Sequence, residues 1–204
     1  MKEIIYGIFA EDDANEIFIR NSIPQLVAYY GYSEKVEFIL HEDFTTLTNA
    51  TNNEYVKDKF ISHASMGMKA FVVPIALCIV ALDAEDSEHG ELFHEMKQKL
   101  NETTIHDRVL ISIPVQCVEY WLYYLKLKNE NSSLEATDPI EKIKTRREVK
   151  KLVYGREKPT NKKSSPIVEK LSKNINIDWL KQCSNSFDHF CRHFEEYIEK
   201  ISPA

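Results

Sequence analysis

Two apolar runs that each end in a group of acids constrain this chain more than any other feature. Residues 4–10 (IIYGIFA) run into Glu11, Asp12 and Asp13. Residues 71–82 (FVVPIALCIVAL) run into Asp83, Glu85 and Asp86. Short apolar runs rich in β-branched residues read as buried strands. In a parallel α/β sheet, ligands bind in the crevice outside the carboxyl ends of the strands. Two strands that both end in acids would gather like charges at one edge. Such charges raise one another's pKa unless a cation neutralises them. A divalent ion with oxygen ligands, magnesium first, is the economical solution. The pattern points to metal-dependent chemistry on phosphates.

Periodicity along the chain alternates strands with helices. Residues 3–10 read as a first strand. Residues 14–30 read as a helix placing Ile17, Phe18, Ile23, Leu26 and Val27 on one face, with a kink at Pro24. A second strand follows at 36–40 (VEFIL), a short polar helix at 54–65, and a long central strand at 70–82. Residues 90–100 are amphipathic, 108–115 (RVLISIPV) form another buried strand, and 116–128 (QCVEYWLYYLKLK) a helix at its end. This order predicts a mostly parallel sheet with right-handed crossovers, flanked by helices. The last third differs. Residues 129–138 form a polar linker, and Asp138-Pro139 opens a helix over 139–152. Residues 154–166 read as a Gly/Pro/Ser/Lys loop, and 165–174 and 186–201 as two further helices. The expectation is an α/β core over 1–128 and a helical annex over 129–204, packed on the core.

Length and composition suit one ordinary domain with an appendage: 204 residues, 43% apolar and 28% charged. The opening MKEIIYGIFAEDD has no signal-peptide layout, and the stretch 70–82 is too short to span a bilayer and carries Pro74. Cys78, Cys117, Cys183 and Cys191 form no CxxC pair and read as reduced thiols of a cytoplasmic protein. The net charge of −6 conceals an asymmetry. Residues 142–163 carry ten Lys or Arg against Glu148 and Glu157, which is +8 and leaves −14 elsewhere. A dense basic segment on an acidic body is the footprint of a nucleic-acid contact, and equally of a solvated helix and loop. No P-loop, Rossmann glycine pattern or GxSxG occurs, and only five glycines are present, so no nucleotide-cradling cofactor loop is expected.

The order of these pieces resembles the Toprim domain, and more closely the small standalone Toprim-related proteins of the RloB type in bacterial defence systems. The resemblance rests on a strand ending in Glu11, the helix ANEIFIRNSIPQLV, and a later strand ending in LDAED. It also rests on VEYWL (118–122), DPIEKIK (138–144), Tyr154 to Lys158, and CSNSFDHFCRHF (183–194). It covers nearly the whole chain by motif order. Three positions depart from the pattern: Asp12 stands where a Gly is usual, Asn15 where a second acid is frequent, and Asp83-Ala84-Glu85 where Asp-x-Asp is usual.

The resemblance implies a metal-dependent nuclease acting on DNA or RNA with Mg2+ or Mn2+. Glu11, Asp83 and Glu85 would be metal ligands, with Glu11 also a general base. Lys158 would neutralise charge on the phosphate, with Lys162 and Lys163 as rivals. Glu119 could reach the same edge, or serve as a helix-start acid favouring the macrodipole. Asp12, Asp13 and Asp86 read as turn or helix-start acids, and Asp86 as an alternative ligand to Glu85. The resemblance also implies an ATPase partner and leaves a homodimer open. The other class of function is a non-catalytic interaction subunit of such a complex. His189 and His193 have the i, i+4 spacing that can bind zinc, but read as surface histidines of an aromatic helix. His89 and His94 read as a solvated helix start, and Cys117 as inert.

Overall fold

Strands β1 (Lys2–Ala10), β2 (Val36–Leu40), β3 (Leu77–Ala81) and β4 (Val109–Ser112) form one all-parallel sheet in the order β2-β1-β3-β4. The computed structural model describes residues 1–47, 52–85, 87–135 and 139–202. Both faces of the sheet are covered, which is why its strands read as continuous apolar runs rather than alternating ones. Ile4, Tyr6, Ile8 and Ala10 of β1 join Leu77, Ile79 and Ala81 of β3 in one buried cluster. Phe9, Cys78, Val80, Val109 and Ile111 point the other way into a second. The expected α/β class is what the chain adopts.

Helix α1 (Asp13–Tyr29) follows β1 and covers the first face, its start capped by the Asp12 side chain. Pro24 lies inside α1 without ending it. The second face is covered by α2 (Glu42–Leu47), α3 (Asn53–Lys69) and α4 (His89–Asn101). Phe44 of α2 lies flat over Gly7 of β1, where an added Cβ would sit 2.1 Å from its ring. Gly7→Ala is therefore expected to cost about 1–3 kcal/mol by overpacking, read as a lower melting temperature.

The remaining helices are α5 (Glu119–Glu130), α6 (Arg146–Tyr154), α7 (Asn161–Ser172), α8 (Ile177–Cys183) and α9 (Asn185–Ile201). They pack on the α1 side. Val149, Val168, Leu180, Phe187 and Phe194 from them share the buried cluster of β1 and α1. The Ser-x-Ser-Phe motif explains how α9 is anchored. Trp121 Nε1 donates to Ser184 Oγ (2.9 Å) and Ser186 Oγ (3.1 Å), and the Val115 amide donates to Ser186 Oγ (3.3 Å).

Boundaries differ from the sequence expectation in several places. The strand expected over 70–82 begins only at Leu77, because α3 runs to Lys69 and 71–76, with Pro74, form an irregular bend. The helix expected over 139–152 is a 3-10 turn at Ile140–Lys142 and then α6, restarted by a capping box of Thr145 and Glu148. The loop expected over 154–166 ends early, since α7 starts at Asn161 and accommodates Pro166. Neither α2 nor α8 was expected. Asp86 and Asp138 lie outside the described residues. Among the described residues no helix is long and apolar enough to cross a membrane.

Candidate metal centre

The strand order reverses direction between β1 and β3, since the chain steps from β1 outward to β2 and then returns past it to β3 and β4. Crevices at such switch points are where open α/β sheets bind ligands. Glu11 and Asp83 are the first acids beyond these two strands. The edge is closed by backbone bonds: the Glu11 amide donates to Ala81 O (2.9 Å), and the Asp83 amide donates to Glu11 Oε2 (2.9 Å). Burial pushes the Glu11 carboxyl up to about 7, with the Asp12 and Glu85 charges adding to it.

Asp83 does not face an open crevice. It is 1% exposed. Its Oδ1 accepts from Asn15 Nδ2 (3.0 Å) and from the Val118 amide (3.1 Å), and its carbonyl accepts from Asn53 Nδ2. Asn15, where an acid is frequent in the resembling proteins, thus ties Asp83 to Asp12, whose Oδ1 it also contacts at 3.2 Å. Despite these donors Asp83 holds its proton far above the usual carboxylate range. Burial is the main cause, followed by the nearby Asp12, Glu11 and Glu119 charges.

The loops after β3 and β4 are clipped together by strained backbone. Glu85 (φ 53°) and Gln116 (φ 59°) are non-glycine residues in the left-handed region, an uncommon and costly state that clusters at functional sites. The Ala84 amide donates to Pro114 O, and the Glu85 amide to Gln116 O, both at 3.0 Å. This clip delivers Cys117 and Glu119, at the start of α5, beside Asp83. One donor atom from each of Asp83, Cys117 and Glu119 lies within 4.8 Å of the others, and all three residues are buried. Burial, with Glu119 and Asp83 adjacent, raises the Cys117 thiol.

Cations of the annex face this group. Arg146 places Nη1 and Nη2 each 3.1 Å from Glu85 Oε1, and Nη2 3.8 Å from Asp83 Oδ2. One turn further along α6, Lys150 Nζ lies 3.4 Å from Glu119 Oε1. Burial alone would lower Lys150, but Glu119, Cys117, Asp83 and Asp12 together outweigh it and the pKa rises. A cleft of about 260 Å³ opens over Glu119, lined also by Asp12, Lys150, Tyr154 and Lys158. The start of α6 and the segment before it border a groove of about 560 Å³ carrying Lys142, Lys144, Arg146 and Arg147. The basic segment therefore borders the acidic edge.

The structure brings Glu11 and Glu119 each beside Asp83 and sets Lys158 on the cleft that Glu119 lines. Glu85 instead turns outward to Arg146. Lys162 and Lys163 are exposed residues of the first turn of α7. Sequence reasoning noted Asn15 as a departure, Tyr154 as the start of a motif and Arg146 and Lys150 as part of the basic segment, but counted none of them among the site residues, and took Cys117 as inert. His189 and His193 are not on an open surface. They pack with His89 and Phe93 in a seam between α4 and α9, with His189–His193 ring centroids 4.3 Å apart and Phe93 stacked on His193 at 5.0 Å. Cys78, Cys117, Cys183 and Cys191 are all buried.

Comparison with protein-family models, with curated proteins and with solved structures returned no match. The chemistry has to be read from the site.

Proposed function

We propose that this chain is a divalent-metal-dependent hydrolase of phosphodiesters, a nuclease on DNA or RNA, related to the Toprim-like proteins it resembles. The observation that carries the reading is Asp83. It is a carboxylate almost wholly removed from water, within electrostatic reach of Glu11 and Glu119, at the switch point of a parallel sheet. Gathered acids of this kind are stable as anions only with a cation among them. A bound divalent ion supplies Lewis acidity towards a phosphoryl oxygen and an activated water. Glu11, with its pKa near neutrality, is suited to take up a proton as general base. Lys158 and Lys150 face the cleft where charge on a phosphate would develop. Lys142, Lys144 and Arg147 offer a backbone track beside it, so binding should weaken steeply with added salt as counterions are released.

The test is cleavage of plasmid, single-stranded DNA and tRNA with magnesium, with manganese and with chelator. Metal-dependent cleavage supports the reading. A cytoplasmic setting and a partner ATPase belong to the same proposal, since the chain has no ATP motif of its own. One observation favours a second reading, a catalytically degenerate interaction subunit. The Arg146 guanidinium sits on Glu85 and close to Asp83 Oδ2, where a divalent ion would otherwise neutralise them. Absence of cleavage by any form, with a candidate ATPase present, would favour that reading.

A further inference from the structure

We infer that Asp83, Cys117 and Glu119 form a three-ligand site for a thiolate-accepting divalent ion of the zinc type, not for magnesium. This deepens the proposed metal-dependent reading of the same edge and rests on it. The first argument is donor chemistry. Magnesium takes oxygen ligands in near-ideal octahedral geometry and keeps several waters. Here one of the three converging donors is a sulfur, and all three residues are buried, Cys117 fully so. Zinc binds Cys sulfur at about 2.3 Å and carboxylate oxygen at about 2.0–2.2 Å, with three protein ligands and one open position in catalytic sites. Donors on such an ion lie about 3.5 Å apart. The three donors already lie within 4.8 Å of one another.

The second argument is what the group lacks. Glu119 is 3% exposed, yet its Oε2 has no hydrogen-bond partner. Tyr154 is 8% exposed, and its hydroxyl lies beside that carboxylate without a bond of good geometry. Both line the cleft over Glu119. A buried polar atom left unpaired costs about 1–3 kcal/mol, so two at one spot point to a missing ligand. The open fourth position would face this cleft.

The third argument is orientation. Metal ligands are held by outer partners that fix the donating atom. Asp83 Oδ1 is taken by Asn15 and the Val118 amide, leaving for the ion Oδ2, which Arg146 Nη2 approaches only to 3.8 Å. Glu119 Oε1 is steadied by Lys150, leaving Oε2. Cys117 is set by the left-handed turn at Gln116 just before it.

The test uses the full chain stripped by chelator, with cobalt as spectroscopic probe. Cobalt should bind one per chain and give a thiolate-to-metal charge-transfer band in the near ultraviolet. Zinc should displace it at equimolar amounts, and magnesium should fail to do so even at about a hundredfold excess, as ligand softness requires. Cys117→Ser should abolish the band and weaken zinc binding by more than about a hundredfold, beyond the usual loss from an outer-shell change. Cys191→Ala should retain both. Cobalt bound without the band, or displaced by magnesium, overturns the inference in the wild-type chain whether or not the Ser variant folds. Zinc bound through Cys117 without cleavage of any nucleic acid would sink the nuclease reading and leave this site standing. Magnesium-dependent cleavage by a chain that shows no thiolate band would do the reverse.

Discussion

The carboxyl edge of the sheet and the seam between α4 and α9 both gather side chains that titrate, and the two are built differently. At the edge, Glu11, Asp83 and Glu119 are drawn together, faced by Arg146 and Lys150, with two strained backbone residues and unpaired buried oxygens. At the seam, His89, His189 and His193 meet over Phe93 through ring edges and faces. Burial lowers all three histidines, His189 to about 4, where His193 and His89 also push it down. The seam thus holds neutral rings and uses them as packing surface. The edge keeps groups whose charge has no adequate internal answer, and a cleft above them. Both regions leave buried polar atoms unpaired, Glu119 Oε2 and the Tyr154 hydroxyl at the edge and His89 Nδ1 and His193 Nδ1 at the seam, so it is the gathered charge that marks the edge as the ligand site.

The sharpest way to break that contrast is to remove the acid at its centre. Asp83→Asn should reduce metal-dependent cleavage by at least about a hundredfold, more than an outer-shell loss, while His189→Phe leaves it unchanged. Parallel assays on a labelled substrate would show it. Equal loss in both variants would mean that the seam, too, is part of the site. For stability, Asn retains an acceptor for Asn15 and the Val118 amide. Asp83→Ala strands those donors and should cost about 1–3 kcal/mol in a melt. That differs from the expectation for an acid facing open solvent, because Asp83 is buried.

A smaller effect separates the regions by pH. The folded pKa of Glu11 lies at about 7, above its ordinary 4.5. Between those values the metal-free folded chain binds more protons than the unfolded one, so this group makes stability fall as pH rises, by up to about 2–3 kcal/mol. His189 has a folded pKa of about 4, below its ordinary 6.5. Between 4 and 6.5 the unfolded chain binds more protons, so stability from the seam rises with pH and is lost as pH falls through 4. Lys97, Arg192, Asp188 and Glu196 lie near these histidines and modulate the slope. Urea melts across pH 4–8 should show Glu11→Gln reducing the falling limb, to which Asp83 also contributes, and His189→Phe reducing the rising one, to which His89 and His193 also contribute. Zinc added at pH 8 should restore stability to the wild type. The smallest effect is expected for Arg146→Gln, at most about 1 kcal/mol, since the Arg146–Glu85 pair is partly exposed to water.

Much of the frame was legible from the chain. The runs ending at Ala10 and Leu40, and the one leading to Asp83, announced buried strands, and the alternation with amphipathic segments announced a parallel sheet. Glu11 and Asp83 followed directly, because a residue just past a buried strand must lie at the sheet edge. The pairing of Glu85 with Arg146 was not legible, because the left-handed φ that goes with it is invisible in the sequence. Cys117 was passed over because its neighbours in the site come from β3 and α5 through a loop clip that no local pattern encodes. Asn15, Lys150 and Tyr154 join the site only through tertiary packing of α1 and α6. The histidine pair had the spacing of a zinc motif, and only the ring of Phe93 between α4 and α9 shows that packing claims it.

The most direct measurement is an anomalous-difference map from crystals of the full chain soaked with zinc. The account predicts one peak within bonding distance of Asp83, Cys117 and Glu119, and none between α4 and α9. A peak on His189 and His193 with the carboxyl edge empty would contradict it.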